Sequence, residues 1–217
     1  MLELERRGDV AIIRMCDGEN RFNRRSIDAW HAALDELDTT GGPLAVVTTG
    51  VGRFYSNGLD LAWMSEHPDE SLPLVADVHR LLGRMLGFGA ITVAAVNGHA
   101  FAGGAMLATA HDFVVMREDR GFWCLPEVDL GLPLTPAMHA VISAKLPRTT
   151  AHEAMMTAQR YTARQALGAG IAHRVAPEDI VVDEAVVLAA QHTGHDRRVI
   201  AEHKRLSYGA AIELCGV

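Results

Sequence analysis

The chain has 217 residues, 49% of them hydrophobic, and carries a formal net charge of −7 at pH 7. That length and apolar content suffice for one domain with a full hydrophobic core. The acidic balance argues against a nucleic-acid partner, and apolar runs such as Ile91–Val96 are too short to span a bilayer, so no membrane partner is expected either.

The cysteines and the chain start bear on the cellular compartment. Cys16, Cys124 and Cys215 are scattered and odd in number, which is typical of free thiols in a reducing environment. The charged start Met1–Arg7 does not have the pattern of a signal peptide. We therefore expect a cytoplasmic protein.

The first half of the chain alternates strand-like and helix-like patterns. Two short strand-like runs meet at Gly8-Asp9 and predict a β-hairpin. Ser26 is predicted to cap a helix whose apolar residues recur at helical spacing. Further elements are predicted as a strand at 44–49, a helix at 72–86 and a strand at 91–96.

The second half continues this alternation before it becomes mainly helical. A small-residue helix is predicted at 103–110, a strand at 113–116 and a helix that starts at Thr135-Pro136. The spacings Thr150 to Glu153 and Thr162 to Gln165 match capping boxes, and the chain is predicted to be helical from about residue 181. The loosely repeated strand–strand–helix order favours an α/β fold over a helical bundle or an all-β sandwich.

One carboxylate stands out in the apolar stretch 121–133. Glu127 lies there, downstream of the glycine-rich turn Ala102-Gly103-Gly104. Apolar surroundings disfavour the charged form of a carboxyl group and raise its pKa toward the range where it exchanges protons near neutrality. A small-residue turn that leads into a helix supplies backbone N–H groups for a developing oxyanion. A base and an oxyanion site are the minimum needed to move a proton next to a carbonyl.

Three sequence blocks occur in one order along the chain: Tyr55–Asp60, Ala95–Gly104 and Pro126–Gly131. Together they resemble the crotonase (enoyl-CoA hydratase/isomerase) superfamily, most closely its plant-type Δ3,Δ2-enoyl-CoA isomerases. The resemblance continues through Tyr161–Gly170 and so covers nearly the whole chain. It implies an acyl-CoA thioester substrate, with coenzyme A as part of the substrate and no separate cofactor.

The same resemblance implies a fold and an assembly. Residues 1–150 would form a crotonase-like spiral of ββα units, and residues 151–217 a C-terminal helical trimerisation region. A homotrimer or a dimer of trimers would follow. The chain ends sooner than most relatives, so the trimer-forming helices are expected to be reduced.

The resemblance also implies roles for single residues. Glu127 would be catalytic, and the backbone N–H groups of Asn57 and Gly103 would form an oxyanion hole. Contacts to the substrate or its coenzyme A portion are expected at Arg21, Phe22, Ser56, Gly58, Leu59, Asp60, Gly104 and Met106. No metal site is expected, because the histidines lack metal-binding spacing.

The residue at position 106 bears on the reaction. Hydratases of the superfamily carry a second glutamate there, and this chain has Met106. Hydration needs two carboxylates, whereas one carboxylate can move a double bond by removing a proton at C2 and returning one at C4. An apolar Met106 would also keep water from the dienolate. An isomerase of fatty-acid β-oxidation is therefore predicted; hydration, another crotonase activity, and non-catalytic acyl-CoA binding remain alternatives.

Several candidate residues also have purely structural interpretations. Asp60 is expected chiefly to cap a helix, and the glycines of the turn could serve only close packing. Asp129 lies two residues from Glu127 and would share its face on an extended segment, which makes it the best spare acid. Cys124 is expected to be a buried thiol rather than a nucleophile, and Lys204 a solvated residue of the terminal helix, with a coenzyme A phosphate contact as the alternative.

Overall fold

The computed structural model describes residues 1–217 and contains nine strands and nine helices. The strands are β1 (Leu2–Arg7), β2 (Val10–Met15), β3 (Ala45–Gly50), β4 (Phe54–Ser56), β5 (Ile91–Val96), β6 (His99–Phe101), β7 (Phe113–Arg117), β8 (Trp123–Cys124) and β9 (Arg174–Ala176). The helices are α1 (Arg24–Thr39), α2 (Leu61–Glu66), α3 (Pro68–Gly87), α4 (Gly103–Ala110), α5 (Pro136–Lys145), α6 (Arg148–Thr157), α7 (Ala163–Gly168), α8 (Val181–Ala190) and α9 (Arg197–Leu214). None of the helices combines the length and apolar content needed to cross a bilayer.

The strands form two sheets. The large sheet has the order β1-β2-β3-β5-β7-β9 and the small sheet the order β4-β6-β8. The hairpin predicted at Gly8 is confirmed: β1 and β2 pair antiparallel and Gly8 has φ +61°, whereas every later pair is parallel. The pairs β3/β4, β5/β6 and β7/β8 each place their first strand in the large sheet and their second in the small one. This arrangement is the predicted spiral of ββα units.

The large sheet separates two cores. Because successive strand residues point to opposite faces, Ala11 and Ile13 join a core of 46 buried residues, while Val10 and Ile12 join a smaller core of 12. Helix α8 covers the smaller core, and the other packed helices share the larger one. Apolar residues on both faces explain why these strands are continuous hydrophobic runs in the sequence.

The region after residue 150, which was predicted to be helical, also contains a strand. Strand β9 pairs with β7, and so the large sheet continues into this region. Helix α9 packs against α3 and α5, and its Lys204 is buried rather than solvated. The Lys204 ammonium donates hydrogen bonds to Asp112 at 2.6 Å and to the carbonyl of Ala90 at 2.8 Å, which anchors α9 beside the large sheet. Lys204 is therefore not available to coenzyme A phosphates.

Two predicted helix starts are displaced. Helix α1 is capped by Asn23, and Ser26 closes the capping box from the third helical position. Helix α6 starts after Pro147, so Thr150 lies in its first turn and donates to the carbonyl of Ala169 at 2.7 Å instead of capping. The capping box predicted at the start of α7 is confirmed.

Candidate active site

A cavity of about 490 Å³ lies where the Asn57–Leu59 loop, the start of α4 and the segment after β8 meet. Its walls are mainly apolar, with Met64 from α2, Val75 from α3 and Met138 from α5 among them. Its polar and thiol-bearing lining side chains are Arg21, Asn57, Cys124, Glu127, Thr135 and Arg160. Glu127 is the only carboxylate in the lining. A mainly apolar cavity with one acid is suited to proton transfer on a small organic substrate.

The start of α4 is pressed against the small sheet. Ala102 precedes the helix at φ +50° and donates its N–H to the carbonyl of Cys124. A Cβ on Gly104 would lie 2.2 Å from the carbonyl oxygen of Ser56, so only glycine fits. The N–H of Gly103, the first helical residue, has no hydrogen-bond partner, as expected at a helix N-terminus, and Gly103 lines the cavity.

The loop opposite provides a second free N–H, but not the one predicted. The N–H of Asn57 donates to the carbonyl of Glu19 at 3.0 Å, so it is already used and the assignment of Asn57 as an oxyanion donor is wrong. Phe22 forms a parallel β-bridge with Leu59. The N–H of Phe22 donates to the carbonyl of Gly58, and the carbonyl of Phe22 accepts from the N–H of Asp60. This pairing leaves the N–H of Leu59 without a partner, and Leu59 lines the cavity.

Gly58 joins these two donor segments. It has φ +73°, and a Cβ on it would lie 2.8 Å from the backbone nitrogen of Gly103. Both its conformation and this close approach require glycine. Leu59 and Gly103 thus each bring a free N–H to the cavity wall, on two segments that approach closely at Gly58.

Glu127 follows β8 in a run of turns, with the N–H groups of Leu130 and Leu132 donating to its carbonyl. Burial raises the pKa of its carboxyl group, and its buried Oε2 has no hydrogen-bond partner. Because the segment turns instead of running extended, Asp129 does not share the face of Glu127: it is exposed and lies outside the cavity lining. Asp129 is thus excluded as a spare acid in the cavity.

Two predicted substrate contacts are core residues. Phe22 is 1% exposed, and a Cβ added to Gly103 would lie 3.2 Å from its ring, so the ring packs against the turn. Met106 is fully buried, because its position in α4 turns the side chain into the core. Neither side chain lines the cavity, and both assignments as direct contacts are corrected.

The other predicted contacts divide into cavity and framework residues. Arg21 and Leu59 line the cavity, whereas Ser56, Gly58 and Gly104 lie behind its wall. Asp60 accepts a hydrogen bond from the N–H of Trp63 and caps α2, as expected.

Glu19, which sequence reasoning missed, organises the mouth of the cavity. Its carboxylate accepts hydrogen bonds from the Asn57 side chain at 2.9 Å and from Arg21 at 2.7 Å. The hydrogen bond from the Asn57 amide, and to a smaller extent the one from the Arg21 guanidinium, holds the pKa of Glu19 below its usual range. The carboxylate is therefore charged and engaged at neutral pH. No local sequence signal identified it, because Asn57 reaches Glu19 only once the two loops meet.

Cys124 lines the cavity as the predicted buried thiol. Its Sγ donates to the carbonyl of Ala158 at 3.3 Å, and burial raises its pKa to about 11. Very little thiolate is therefore present near neutrality, which argues against a nucleophilic role.

Comparison with known proteins identifies the family. Residues 5–208 match the enoyl-CoA hydratase/isomerase family. The chain belongs to this family. The peroxisomal enoyl-CoA delta isomerase 2 of Arabidopsis thaliana is 32% identical over all of this chain and 95% of its own length. The apo structure of a Mycobacterium tuberculosis enoyl-CoA isomerase superposes with a TM-score of 0.88 at 27% identity, covering 99% of this chain and 94% of that one.

The family does not fix a single reaction. The carnitinyl-CoA dehydratase of Salmonella enteritidis is 31% identical over 98% of this chain and 82% of its own length. The crotonase resemblance and fold predicted from the sequence are confirmed, and the reaction has to be argued from the cavity.

Proposed function

We propose that this protein is a Δ3,Δ2-enoyl-CoA isomerase, which converts a 3-enoyl-CoA into the trans-2-enoyl-CoA. The observation that carries the proposal is the lining of the cavity: two free backbone N–H groups and a single carboxylate of raised pKa. The full-length similarity to the Arabidopsis isomerase supports it.

The reaction proceeds in two proton transfers. The thioester oxygen accepts hydrogen bonds from the N–H groups of Leu59 and Gly103, and the Glu127 carboxylate removes a proton from C2. The electron pair of the broken C–H bond delocalises into a dienolate whose charge rests on the thioester oxygen, where the two donors stabilise it. The Glu127 carboxylic acid then returns the proton at C4, the C2–C3 double bond forms, and the carboxylate is restored.

Hydration is disfavoured by what surrounds Glu127. Adding water requires one group to activate the water and another to manage the proton at the α-carbon. The lining contains no second carboxylate, and the position that would carry one in a hydratase is the buried Met106. A raised pKa suits a group that must act first as base and then as acid near neutral pH.

The remaining expectations stay proposals. We propose that Arg21, at the cavity mouth, contacts the coenzyme A portion of the substrate, and that the protein assembles as a homotrimer or a dimer of trimers in the cytoplasm. Sedimentation of the purified protein tests the assembly, and a fluorescent fusion tests the compartment.

The deciding experiment gives the purified protein a matched pair of thioesters, 3-hexenoyl-CoA and crotonyl-CoA. Isomerisation of the first creates the conjugated absorbance of a 2-enoyl thioester, and hydration of the second destroys it. We expect turnover of 3-hexenoyl-CoA without comparable loss of crotonyl-CoA. Faster loss of crotonyl-CoA would make the protein a hydratase, and calorimetric binding of both esters without turnover of either would make it a non-catalytic acyl-CoA-binding protein.

A further inference from the structure

Ser56 lies directly behind the loop that carries the Leu59 N–H, and it is fully buried. Its hydroxyl donates a hydrogen bond to the carbonyl of Asn20 at 2.7 Å and accepts one from the N–H of Gly58 at 3.2 Å. The hydroxyl therefore links the 17–20 turn to the residue that immediately precedes Leu59.

Asn20 holds the other end of this link. It is 5% exposed and has φ +52°, a left-handed conformation that residues other than glycine rarely adopt and that Asn tolerates best. Its side-chain amide donates to the carbonyls of Phe54 and Tyr55, each at 3.1 Å, and its Oδ1 accepts from the N–H of Asp17 at 2.9 Å. Such a conformation persists where several surrounding contacts hold it in place. Here two of those contacts, the hydrogen bonds to the carbonyls of Phe54 and Tyr55, also hold strand β4.

We propose that Ser56 and Asn20 are positioning residues that aim the N–H of Leu59 at the thioester oxygen. Together they fix the backbone from Phe54 to Gly58 at several points, and Gly58 in turn abuts the nitrogen of Gly103. Together with the Phe22 N–H on the Gly58 carbonyl, these hydrogen bonds set the separation of the two oxyanion donors, and none of them reaches the substrate. This inference rests on the proposed function in one respect: it takes the two N–H groups as the site that binds the thioester oxygen.

Removing the Ser56 hydroxyl would leave the Gly58 N–H and the Asn20 carbonyl buried and unpaired. The Gly58 N–H belongs to the peptide that precedes the one carrying the Leu59 N–H, and the latter peptide is held by the Phe22 N–H on the Gly58 carbonyl. We expect the freed Asn57–Gly58 peptide to rotate and to turn the adjoining Leu59 N–H out of line. Complete loss of one oxyanion donor lowers kcat by about 10²–10³-fold. For a misaligned donor we expect a fall in kcat of about 10–100-fold, with KM changed by less than about threefold.

The test compares Ser56→Ala with Thr150→Val. Thr150 is also nearly buried, and its hydroxyl donates to a carbonyl at 2.7 Å as that of Ser56 does, but Thr150 does not line the cavity. The control therefore loses the same donated hydrogen bond, without the accepted one that Ser56 makes to Gly58. The readouts are kcat and KM for 3-hexenoyl-CoA and the red shift in the absorption of bound cinnamoyl-CoA, which reports polarisation of its carbonyl. We expect Ser56→Ala to lose kcat and most of the red shift, and Thr150→Val to keep both.

Wild-type kcat and red shift in Ser56→Ala would overturn the proposal, and so would equal losses in both variants, which would mark a purely structural effect. If Ser56→Ala does not fold, Asn20→Gly replaces it, because glycine accepts φ +52° and only the side-chain hydrogen bonds are lost. Wild-type kcat and red shift in Asn20→Gly would overturn the proposal equally. A wild-type protein that shifts cinnamoyl-CoA but isomerises nothing would refute the isomerase assignment, while loss of that shift in Ser56→Ala would still support the positioning role.

Discussion

Replacing Glu127 with glutamine removes the only carboxylate of the cavity and keeps the size of the side chain. A positioned acid–base group contributes about 10²–10⁴-fold to a rate, and here one group serves both transfers with no substitute in the lining. We therefore expect a fall in kcat of about 10⁴-fold, equivalent to about 5.5 kcal/mol. Glu127→Asp retains the charge but withdraws it by one methylene, for which a loss of about 10²-fold is expected.

The same substitution should stabilise the folded protein. Burial raises the folded pKa of Glu127 above the unfolded value, so the stability linked to this carboxyl is complete below the unfolded pKa and is lost as the pH rises through the folded pKa. Whenever this carboxyl group is ionised, its charge is desolvated and its Oε2 has no hydrogen-bond partner. Glutamine removes the charge but places an amide atom at the same unpartnered position, so only the desolvation cost of the charge is recovered, about 1 kcal/mol.

Two measurements check this pair of effects. Urea unfolding at pH 7 and near pH 4 should show the glutamine variant more stable at pH 7, with the difference shrinking as the wild-type carboxyl becomes protonated. Conversion of 3-hexenoyl-CoA should follow the order wild type, Glu127→Asp, Glu127→Gln. A glutamine variant that still isomerises at the wild-type rate, or that is less stable at pH 7, would contradict the reasoning.

Three further outcomes are expected. Lys204→Ala leaves the partly buried carboxylate of Asp112 without its cation but with its hydrogen bonds from Thr92, and should lower the free energy of unfolding by about 3 kcal/mol. Arg205→Ala breaks only an exposed ion pair and should change it by less than about 1 kcal/mol; urea unfolding of both variants checks the difference. Gly58→Ala should lower kcat/KM by about 10²-fold or more, because its Cβ would crowd the free N–H at the start of α4; an active alanine variant would contradict the assignment of that donor. The acid limb of the kcat/KM profile should lie above 4.5, the ordinary pKa of a glutamate, because burial of Glu127 favours its protonated form; a limb at or below that value would count against Glu127 as the base.

The sequence was sufficient for features that depend on local pattern. The hairpin at Gly8 and the exact extent of α4 follow from short-range signals, as do the caps at Asp60 and Thr162. The family resemblance carried by the three sequence blocks also implied which segments meet around Glu127. Properties of neighbouring residues and of a repeated topology can both be predicted from the sequence.

The donor of the second N–H could not be predicted in this way. Backbone N–H directions alternate along a regular strand, but Gly58 at φ +73° interrupts the alternation. Asn57 consequently points its N–H at Glu19, while the bridge to Phe22 leaves that of Leu59 free. Which N–H remains available is decided by a partner segment some forty residues away, and only the folded chain brings that segment into place.

The cavity has no second acid because of where this chain places its other candidate residues. Met106 faces the core, Asp129 faces solvent, and Glu19 is held at the mouth by two hydrogen-bond donors. The cavity thus contains one proton carrier in apolar surroundings. That equipment suits a reaction in which the proton removed from one carbon is returned to another two bonds away, with no water molecule to activate in between.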